Sequence, residues 1–239
     1  MFLSKKSTLD IVTSVKLNGP VGHQAIALSF DDGPDWGEES LVLALNRAGM
    51  KVTFFWTWQK IQLLRQADTG RFIRLVRLIT EGGHEIGIHG ISCDTPSNLP
   101  ERFIGVAREF ENLGLIRKNF SGLLQQNPGL YRPHCFQGST ELLQAVRTSG
   151  LKLVLGSPRY QVGQRNPDVL LVKAFKRAKP GAIICAHDSK DCYPDFGLAE
   201  QIAQLIPQLT EIAAKRNLCI LTISDILRSG VEDAAGEPQ

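Results

Sequence analysis

The chain has 239 residues and a formal net charge of +3, and 43% of its residues are hydrophobic, which is enough to build one large α/β domain. The small net charge gives no reason to expect a nucleic-acid partner, and no apolar run is long enough to span a membrane. The five cysteines are odd in number and no signal peptide is visible, so we expect reduced thiols and a cytoplasmic protein.

Apolar, β-branched runs alternate with amphipathic segments along most of the chain. The apolar runs predict strands over residues 25–30, 51–56, 84–89, 129–132, 151–155, 182–186 and 218–223. The amphipathic segments predict helices over residues 40–48, 71–80, 99–113, 140–148, 168–179 and 198–216. Residues 1–24 are mixed in character and allow an N-terminal strand or arm.

This alternation, with roughly thirty residues for each βα unit, predicts a parallel sheet. Seven such strands favour a closed or nearly closed barrel, so we predict a distorted (β/α) barrel of about seven strands. An open, doubly wound sheet is the alternative. We expect one domain over residues 1–239, with its core between about residues 25 and 227.

Polar side chains follow several of the predicted strands at the point where each strand ends. Asp31 and Asp32 follow the first strand, His89 the third, Arg132 the fourth and His187 the sixth. The carboxyl ends of parallel strands meet at one rim, where α/β proteins place their chemistry. We therefore expect these five residues to share one site.

The first of these positions carries two adjacent carboxylates. At the mouth of a buried strand they would repel each other and lose hydration, unless one binds a cation and the other handles a proton. A solvated turn is the alternative for a bare Asp-Asp pair. The whole string, IALSFDDGP over residues 26–34, resembles the first motif of the NodB-type polysaccharide deacetylases, carbohydrate esterase family 4. The resemblance implies a NodB-like barrel, with Asp31 as catalytic base and Asp32 as metal ligand.

The string GHEIGIHGISC over residues 83–93 resembles the second motif of that family, in which a His-x-x-x-His pair supplies two metal ligands. Here the pair is His89 and Cys93. A cysteine thiolate binds zinc, so the resemblance allows a zinc site of Asp32, His89 and Cys93 with an open position for water. Alternatively, Cys93 only fills space and the metal site is lost or weakened. Asp94 is a further candidate ligand.

The string YRPHCF over residues 131–136 resembles the third motif, Arg-Pro-Pro-aromatic-Gly. By this match Arg132 orients Asp31 and keeps it ionised, because an adjacent guanidinium lowers the pKa of a carboxyl group. The backbone N–H of Cys135 falls where the family donates to the oxyanion, a role that needs no particular side chain. His134 replaces the second proline and is either an added acid or ligand or a local hydrogen-bonding residue.

The string GAIICAHD over residues 181–188 resembles the fifth motif and places His187 on the family's general acid, although a buried structural histidine is the alternative. The fourth motif, whose aspartate tunes that histidine in the family, has no clear counterpart. His84 stands at the start of its predicted strand rather than at its carboxyl end, and we expect it to be structural.

Together these matches predict a metal-dependent hydrolase that removes an acyl (acetyl) group from an N-acylated sugar or polysaccharide. The expected partners are a divalent ion, with Zn²⁺ favoured, and an N-acetylated carbohydrate substrate. Two alternatives stay open: a catalytically silent carbohydrate-binding protein on the same fold, and a metal-free amidohydrolase of a small cyclic amide. The sequence gives no prediction of the oligomeric state.

Overall fold

A computed structural model of the chain describes residues 11–15, 17, 24–91, 113–124, 127–134, 140–189 and 197–231. The strands are β1 Ile11–Val12, β2 Ala25–Gly33, β3 Thr53–Trp56, β4 Glu85–Ile88, β5 Leu130–Tyr131, β6 Lys152–Val154, β7 Ile183–His187 and β8 Cys219–Leu221. The helices are α1 Glu38–Ala48, α2 Trp58–Ala67, α3 Thr69–Glu81, α4 over residues 113–124, α5 Thr140–Thr148, α6 Pro167–Arg177, α7 Leu198–Lys215 and α8 Ile223–Val231.

The described strands form one eight-stranded sheet in the order β1-β6-β5-β4-β3-β2-β7, with β8 paired to the start of β2. Every pairing between named strands is parallel. The two edges approach each other, because Ser14 forms an antiparallel bridge to Ala182 and Gln161 forms a parallel bridge to Cys185. The sheet is thus curled into a distorted (β/α) barrel, which confirms the predicted fold over the open-sheet alternative.

Side chains alternate between the two faces of β2, and this alternation separates two apolar cores. Ile26, Leu28 and Phe30 point outward into the large core beneath the helices. Ala25 and Ala27 belong to the smaller core inside the barrel. All nine residues of β2 are buried, as expected for a central parallel strand covered on both faces.

The inner face of β2 changes character along the strand. Its lower part is apolar and packs against α8, whose Ile223 and Ile226 fill the end of the barrel where the strands begin. Its upper part carries the polar side chains of Ser29 and Asp31, both buried. The apolar plug at one end and the carboxylate at the other give the barrel a polar interior only at its carboxyl end.

The observed elements differ from the predicted ones in several places. β2 continues through Gly33, so Asp31 and Asp32 lie within the strand rather than after it. Helices α2 and α8 were not predicted, since each is short and only one residue separates it from the preceding strand. The two-residue β1 comes from the segment predicted as a strand or arm.

Of the predicted helix over residues 99–113, only residue 113 lies in the described part of the chain. No helix among the described residues has both the length and the apolar character that crossing a membrane requires.

Candidate active site

A β-bulge in β2 aims two consecutive carboxylates into the same site. Asp31 pairs with Phe55 and Gly33 pairs with Trp56, so Asp32 is an extra residue without a partner on β3. Its backbone φ is 76°, in the left-handed region that few non-glycine residues adopt. In a regular strand neighbouring side chains point to opposite faces, and the bulge removes that restriction.

The guanidinium of Arg132 fixes one of these carboxylates. It follows β5, is fully buried, and donates from Nη1 to Asp31 Oδ1 at 2.6 Å and to Ser29 Oγ at 2.8 Å. Its Nε donates to the carbonyl oxygen of Val154 at 3.3 Å. A buried charge pair of this kind is held by geometry and additional hydrogen bonds, and both are present.

An aromatic floor supports the guanidinium. The Arg132 Cζ atom lies 4.1 Å from the centre of the Phe55 ring, within the range of a cation–π contact. The ring in turn lies against Gly87 of β4, where a Cβ atom would approach the Phe55 ring to 2.6 Å. Gly87 is therefore required for this stack, because any larger residue would displace the ring.

Asp31 is held in its ionised form. Burial alone would raise its pKa, but Arg132, with help from His89, lowers the pKa below its usual value. The Cys185 thiol donates to Asp31 Oδ2 at 3.1 Å. Burial and the adjacent carboxylate raise the pKa of Cys185 well above its usual value, so this sulfur carries its proton.

Three histidine side chains lie close to the Asp32 carboxylate. Burial opposes its ionisation, yet His89, His187 and His134 together hold its pKa well below the usual range. The imidazole nitrogens beside Asp32 are His89 Nε2 at 3.4 Å from Oδ1, His134 Nδ1 at 3.8 Å from Oδ1 and His187 Nε2 at 3.9 Å from Oδ2. Gln164 donates to Asp32 Oδ2 at 3.3 Å.

His89 follows β4 and is oriented by the backbone. Its Nδ1 lies 2.7 Å from the carbonyl oxygen of Arg132, so Nδ1 carries a proton and Nε2 faces the carboxylates. Burial opposes a second proton on the ring, but Asp31 and Asp32 outweigh it and raise the pKa of His89. A cation placed among these groups would compete with that second proton.

Three ligand atoms, one each from Asp32, His89 and His134, lie within 4.8 Å of one another. Zinc binds oxygen and nitrogen ligands at about 2.0–2.2 Å, so tetrahedral ligands lie about 3.4 Å apart. The 3.4 Å and 3.8 Å separations around Asp32 Oδ1 match this requirement. The donor atoms present, and the distances between them, therefore fit a divalent ion such as zinc.

His187 ends β7 on the same rim, with 25% of its side chain exposed. Its Nδ1 lies 2.9 Å from the carbonyl oxygen of Val162, so Nδ1 donates and Nε2 points toward Asp32. The aspartate that tunes this histidine in the family has no clear counterpart in the sequence, and the Val162 carbonyl, in the segment after β6, contacts Nδ1.

The structure thus brings together Asp31, Asp32, His89, Arg132 and His187, the five residues expected to share a rim. Cys93, Cys135 and Asp94 lie outside the described residues, so their predicted roles stay predictions.

Sequence reasoning missed three residues that contact this group. Ser29 and Cys185 each lie two positions before a predicted site residue, Asp31 and His187, on the same strand. Since strand residues two apart share a face, this spacing was a usable signal. Gln164 comes from an irregular loop, and nothing in the sequence marks it.

Comparisons with known proteins agree with this geometry. A family model described as polysaccharide deacetylase matches residues 18–154. The chain belongs to the polysaccharide deacetylase family. It is 29% identical over 216 residues to a peptidoglycan-N-acetylglucosamine deacetylase of Bacillus cereus, covering 87% of this chain and 91% of that protein.

Two solved structures show the same fold. A crystal structure of a peptidoglycan N-acetylglucosamine deacetylase superposes with a TM-score of 0.69 at 18% identity, covering 92% of this chain and 93% of that one. A pseudoenzyme of carbohydrate esterase family 4 from Bacillus anthracis gives a TM-score of 0.64 at 17% identity, with 91% and 68% covered. The family assignment confirms the predicted class of enzyme, a deacetylase that hydrolyses the C–N bond of N-acetyl groups.

Proposed function

We propose that this polysaccharide deacetylase depends on a divalent metal ion, with zinc favoured, and removes the acetyl group from N-acetylglucosamine units of a peptidoglycan-like polymer. The proposal rests on one observation: an ionised carboxylate and a candidate cation site are buried side by side. The carboxylate is Asp31, which Arg132 contacts at 2.6 Å, and the cation site includes Asp32 and His89, whose Nε2 lies 3.4 Å from Asp32. The substrate class is suggested by the Bacillus cereus relative.

Asp31 acts as the general base. It accepts a proton from the attacking water, and its lowered pKa keeps it ready to do so at neutral pH. Arg132 fixes its Oδ1, and the Cys185 thiol donates to Oδ2. A carboxylate has about four lone-pair sites, so these two contacts leave acceptor capacity for a proton from water.

Asp32 and His89 hold the ion. When bound, a divalent ion supplies Lewis-acid polarisation of the acyl carbonyl and makes a nearby water more nucleophilic. Asp32 contributes the negative charge, and His89 contributes a neutral nitrogen whose direction is set by the Arg132 carbonyl.

His187 acts as the general acid. Because its Nδ1 donates to the Val162 carbonyl, the proton that it can transfer to the departing nitrogen resides on Nε2, the atom that faces Asp32. The backbone N–H of Cys135 is predicted to stabilise the oxyanion, as inferred from the family resemblance.

The test measures acetate release from acetylated chito-oligomers and from peptidoglycan by protein loaded with zinc. We expect turnover that a chelator abolishes and that added zinc restores. Asp31→Asn should abolish turnover and keep zinc, whereas Asp32→Ala should lose both. Glu211→Gln, on an exposed face of α7, is the control and should match wild type.

The two alternatives give different results in the same assay. A silent binding protein would bind the oligomers without releasing acetate, and the Bacillus anthracis neighbour is a pseudoenzyme on this fold. A metal-free amidohydrolase would turn over in the presence of the chelator.

A further inference from the structure

The loop after β5 serves the candidate metal site three times. The side chain of Arg132 holds Asp31, the carbonyl of Arg132 orients His89, and His134 follows after Pro133. Proline restricts both itself and the residue before it, so the path from Arg132 to His134 has little freedom. The same short segment therefore positions the base, one ligand and a second imidazole.

The imidazole of His134 lies in the position that a further ligand requires. Its ring centre is 3.9 Å from that of His89, and its Nδ1 is 3.8 Å from Asp32 Oδ1. Both rings thus approach the same carboxylate oxygen, with one nitrogen each available. Two imidazoles and one carboxylate are one of the three-ligand sets found in catalytic zinc sites.

The rest of the His134 ring gives no other explanation for its position. Its Nε2 is buried and has no hydrogen-bond partner among the described residues. Nε2 therefore makes no hydrogen bond that would hold the ring beside Asp32. The local hydrogen-bonding role considered for His134 from the sequence is therefore unsupported at either nitrogen in the described part of the chain.

We propose that His134 is the third protein ligand of the metal ion, so that the ligand set is Asp32, His89 and His134. This inference rests on the proposed metal-dependent function, and it moves the third ligand from the second motif, where the family has a histidine and this chain has Cys93, to the third motif. The family's Asp-His-His composition is kept while one histidine comes from a different loop.

The ligand set decides the charge of the site. With two neutral imidazoles and one carboxylate, a divalent ion keeps one net positive charge, whereas a thiolate from Cys93 would cancel it. The more positive site should polarise a carbonyl and acidify water more strongly. Imidazole ligands also accept several first-row metals, while a thiolate would narrow the choice toward zinc.

The experiment compares zinc binding by wild type, His134→Ala, Cys93→Ser and His187→Ala. Zinc affinity is measured by competition with a chromophoric chelator, with no substrate present. His134→Ala should weaken affinity by at least about 100-fold, since loss of an outer-shell partner alone is worth about 10–100-fold. Cys93→Ser should bind like wild type. His187→Ala, which removes another imidazole beside Asp32, is the matched control and should also bind like wild type.

A second measurement needs no variant. X-ray absorption of the zinc-loaded wild type should show nitrogen and oxygen neighbours, with the outer-shell pattern of two imidazoles, and no sulfur. A sulfur neighbour in the wild-type spectrum, or a wild-type affinity in His134→Ala, would overturn the inference.

These outcomes separate the inference from the proposed function. If wild type releases acetate and His134→Ala binds zinc unchanged, the proposed deacetylase function stands and the assignment of His134 as a ligand is wrong. If zinc binds through His134 but no acetate is released, His134 is a ligand and the proposed function is wrong. Absence of zinc binding in wild type rejects both.

Discussion

Two groups of buried acids lie next to each other in this protein and behave in opposite ways. Asp31 and Asp32 are 2% and 4% exposed, and their pKa values are lowered. Glu38 and Asp188 are 0% and 1% exposed, and burial, with their neighbouring carboxylates, raises the pKa of Glu38 to about 8 and that of Asp188 well above its usual value. Burial is the same in both groups, so burial does not decide ionisation.

The partners account for the difference. Arg132 and the imidazoles surround the first group. In the second group the Trp56 indole donates to Glu38 Oε1 at 2.7 Å, a neutral partner, and Asp188 has no hydrogen-bond partner among the described residues. Cationic groups thus keep the first two acids charged. The buried cation near the second two, Lys60, is paired with Asp35 and does not offset their burial, so their pKa values stay raised.

The largest effect should come from removing the cation of the first group. Arg132→Met leaves Asp31 buried without its partner, which should cost about 3–5 kcal/mol of unfolding free energy. The same change raises the pKa of Asp31, so Asp31 should behave like Glu38. We expect acetate release to fall at least about 100-fold, because the base is both misplaced and protonated. Urea unfolding and the pH dependence of kcat/KM measure the two effects.

Arg228→Met is the control for Arg132→Met. Arg228 is 68% exposed and pairs with Asp225 on the helix surface, so its loss should change the unfolding free energy by about 0–1 kcal/mol. An acid limb of kcat/KM that does not move to higher pH in Arg132→Met would contradict the assignment of Asp31 as base.

Part of this contrast could be predicted from the sequence. Asp31 and Arg132 were paired correctly, because each lies at the end of a predicted strand and the family resemblance gives the partner. The bulge at Asp32 could not be predicted, since its conformation depends on the register with β3. The position of the His134 ring beside Asp32 could not be predicted either, because it depends on the three-dimensional arrangement of the segments that follow β2 and β5 and not on the sequence pattern of either one.

The next prediction tests whether His187 is the general acid that works with the base Asp31. His187→Ala should lower kcat for an N-acetylated sugar by about 10²–10⁴-fold without loss of bound zinc. The decrease should be smaller for an aryl acetate, whose leaving group needs no proton. An equal decrease for both substrates would show that His187 does something other than protonate the leaving group.

Glu38→Gln tests the second group of acids. The pKa of Glu38 rises from 4.5 to about 8 on folding, so the folded chain binds more protons between these pH values. Stability from this group is therefore greatest at low pH and is lost as the pH rises toward 8. The wild-type protein should lose a few kcal/mol over this window, since one pKa unit is worth about 1.4 kcal/mol.

In Glu38→Gln that loss should disappear, whereas the exposed Glu211→Gln control should keep it. Urea unfolding at several pH values between 5 and 8 gives the comparison. A wild-type slope that survives in Glu38→Gln would place the titration on another group, with Asp188 as the next candidate.

Two buried histidines at the two ends of β4 show the same contrast as the two groups of acids. The prediction that follows from them has the smallest expected effect. His89 follows the strand beside carboxylates and has a raised pKa, while burial lowers the pKa of His84, which precedes the strand, to about 4. The Val52 N–H donates to His84 Nδ1 at 3.2 Å, so Nε2–H donates to Asn46 Oδ1 at 3.0 Å. The two nitrogens thus connect the residue before β3 to α1, which supports the predicted structural role.

His84→Gln can keep both contacts, because its amide oxygen accepts and its amide nitrogen donates. His84→Ala leaves the buried Val52 N–H unpaired, so it should cost about 1–3 kcal/mol at pH 7, against about 1 kcal/mol or less for His84→Gln. The folded pKa of His84 lies below the unfolded one, so wild type loses this stability as the pH falls from 6.5 toward 4, and neither variant should show that loss. Urea unfolding at pH 7 and pH 5 measures this difference.

Acetate release should be unchanged in His84→Gln, and a decrease comparable to that of the rim variants would mean that this end of the barrel also serves the reaction.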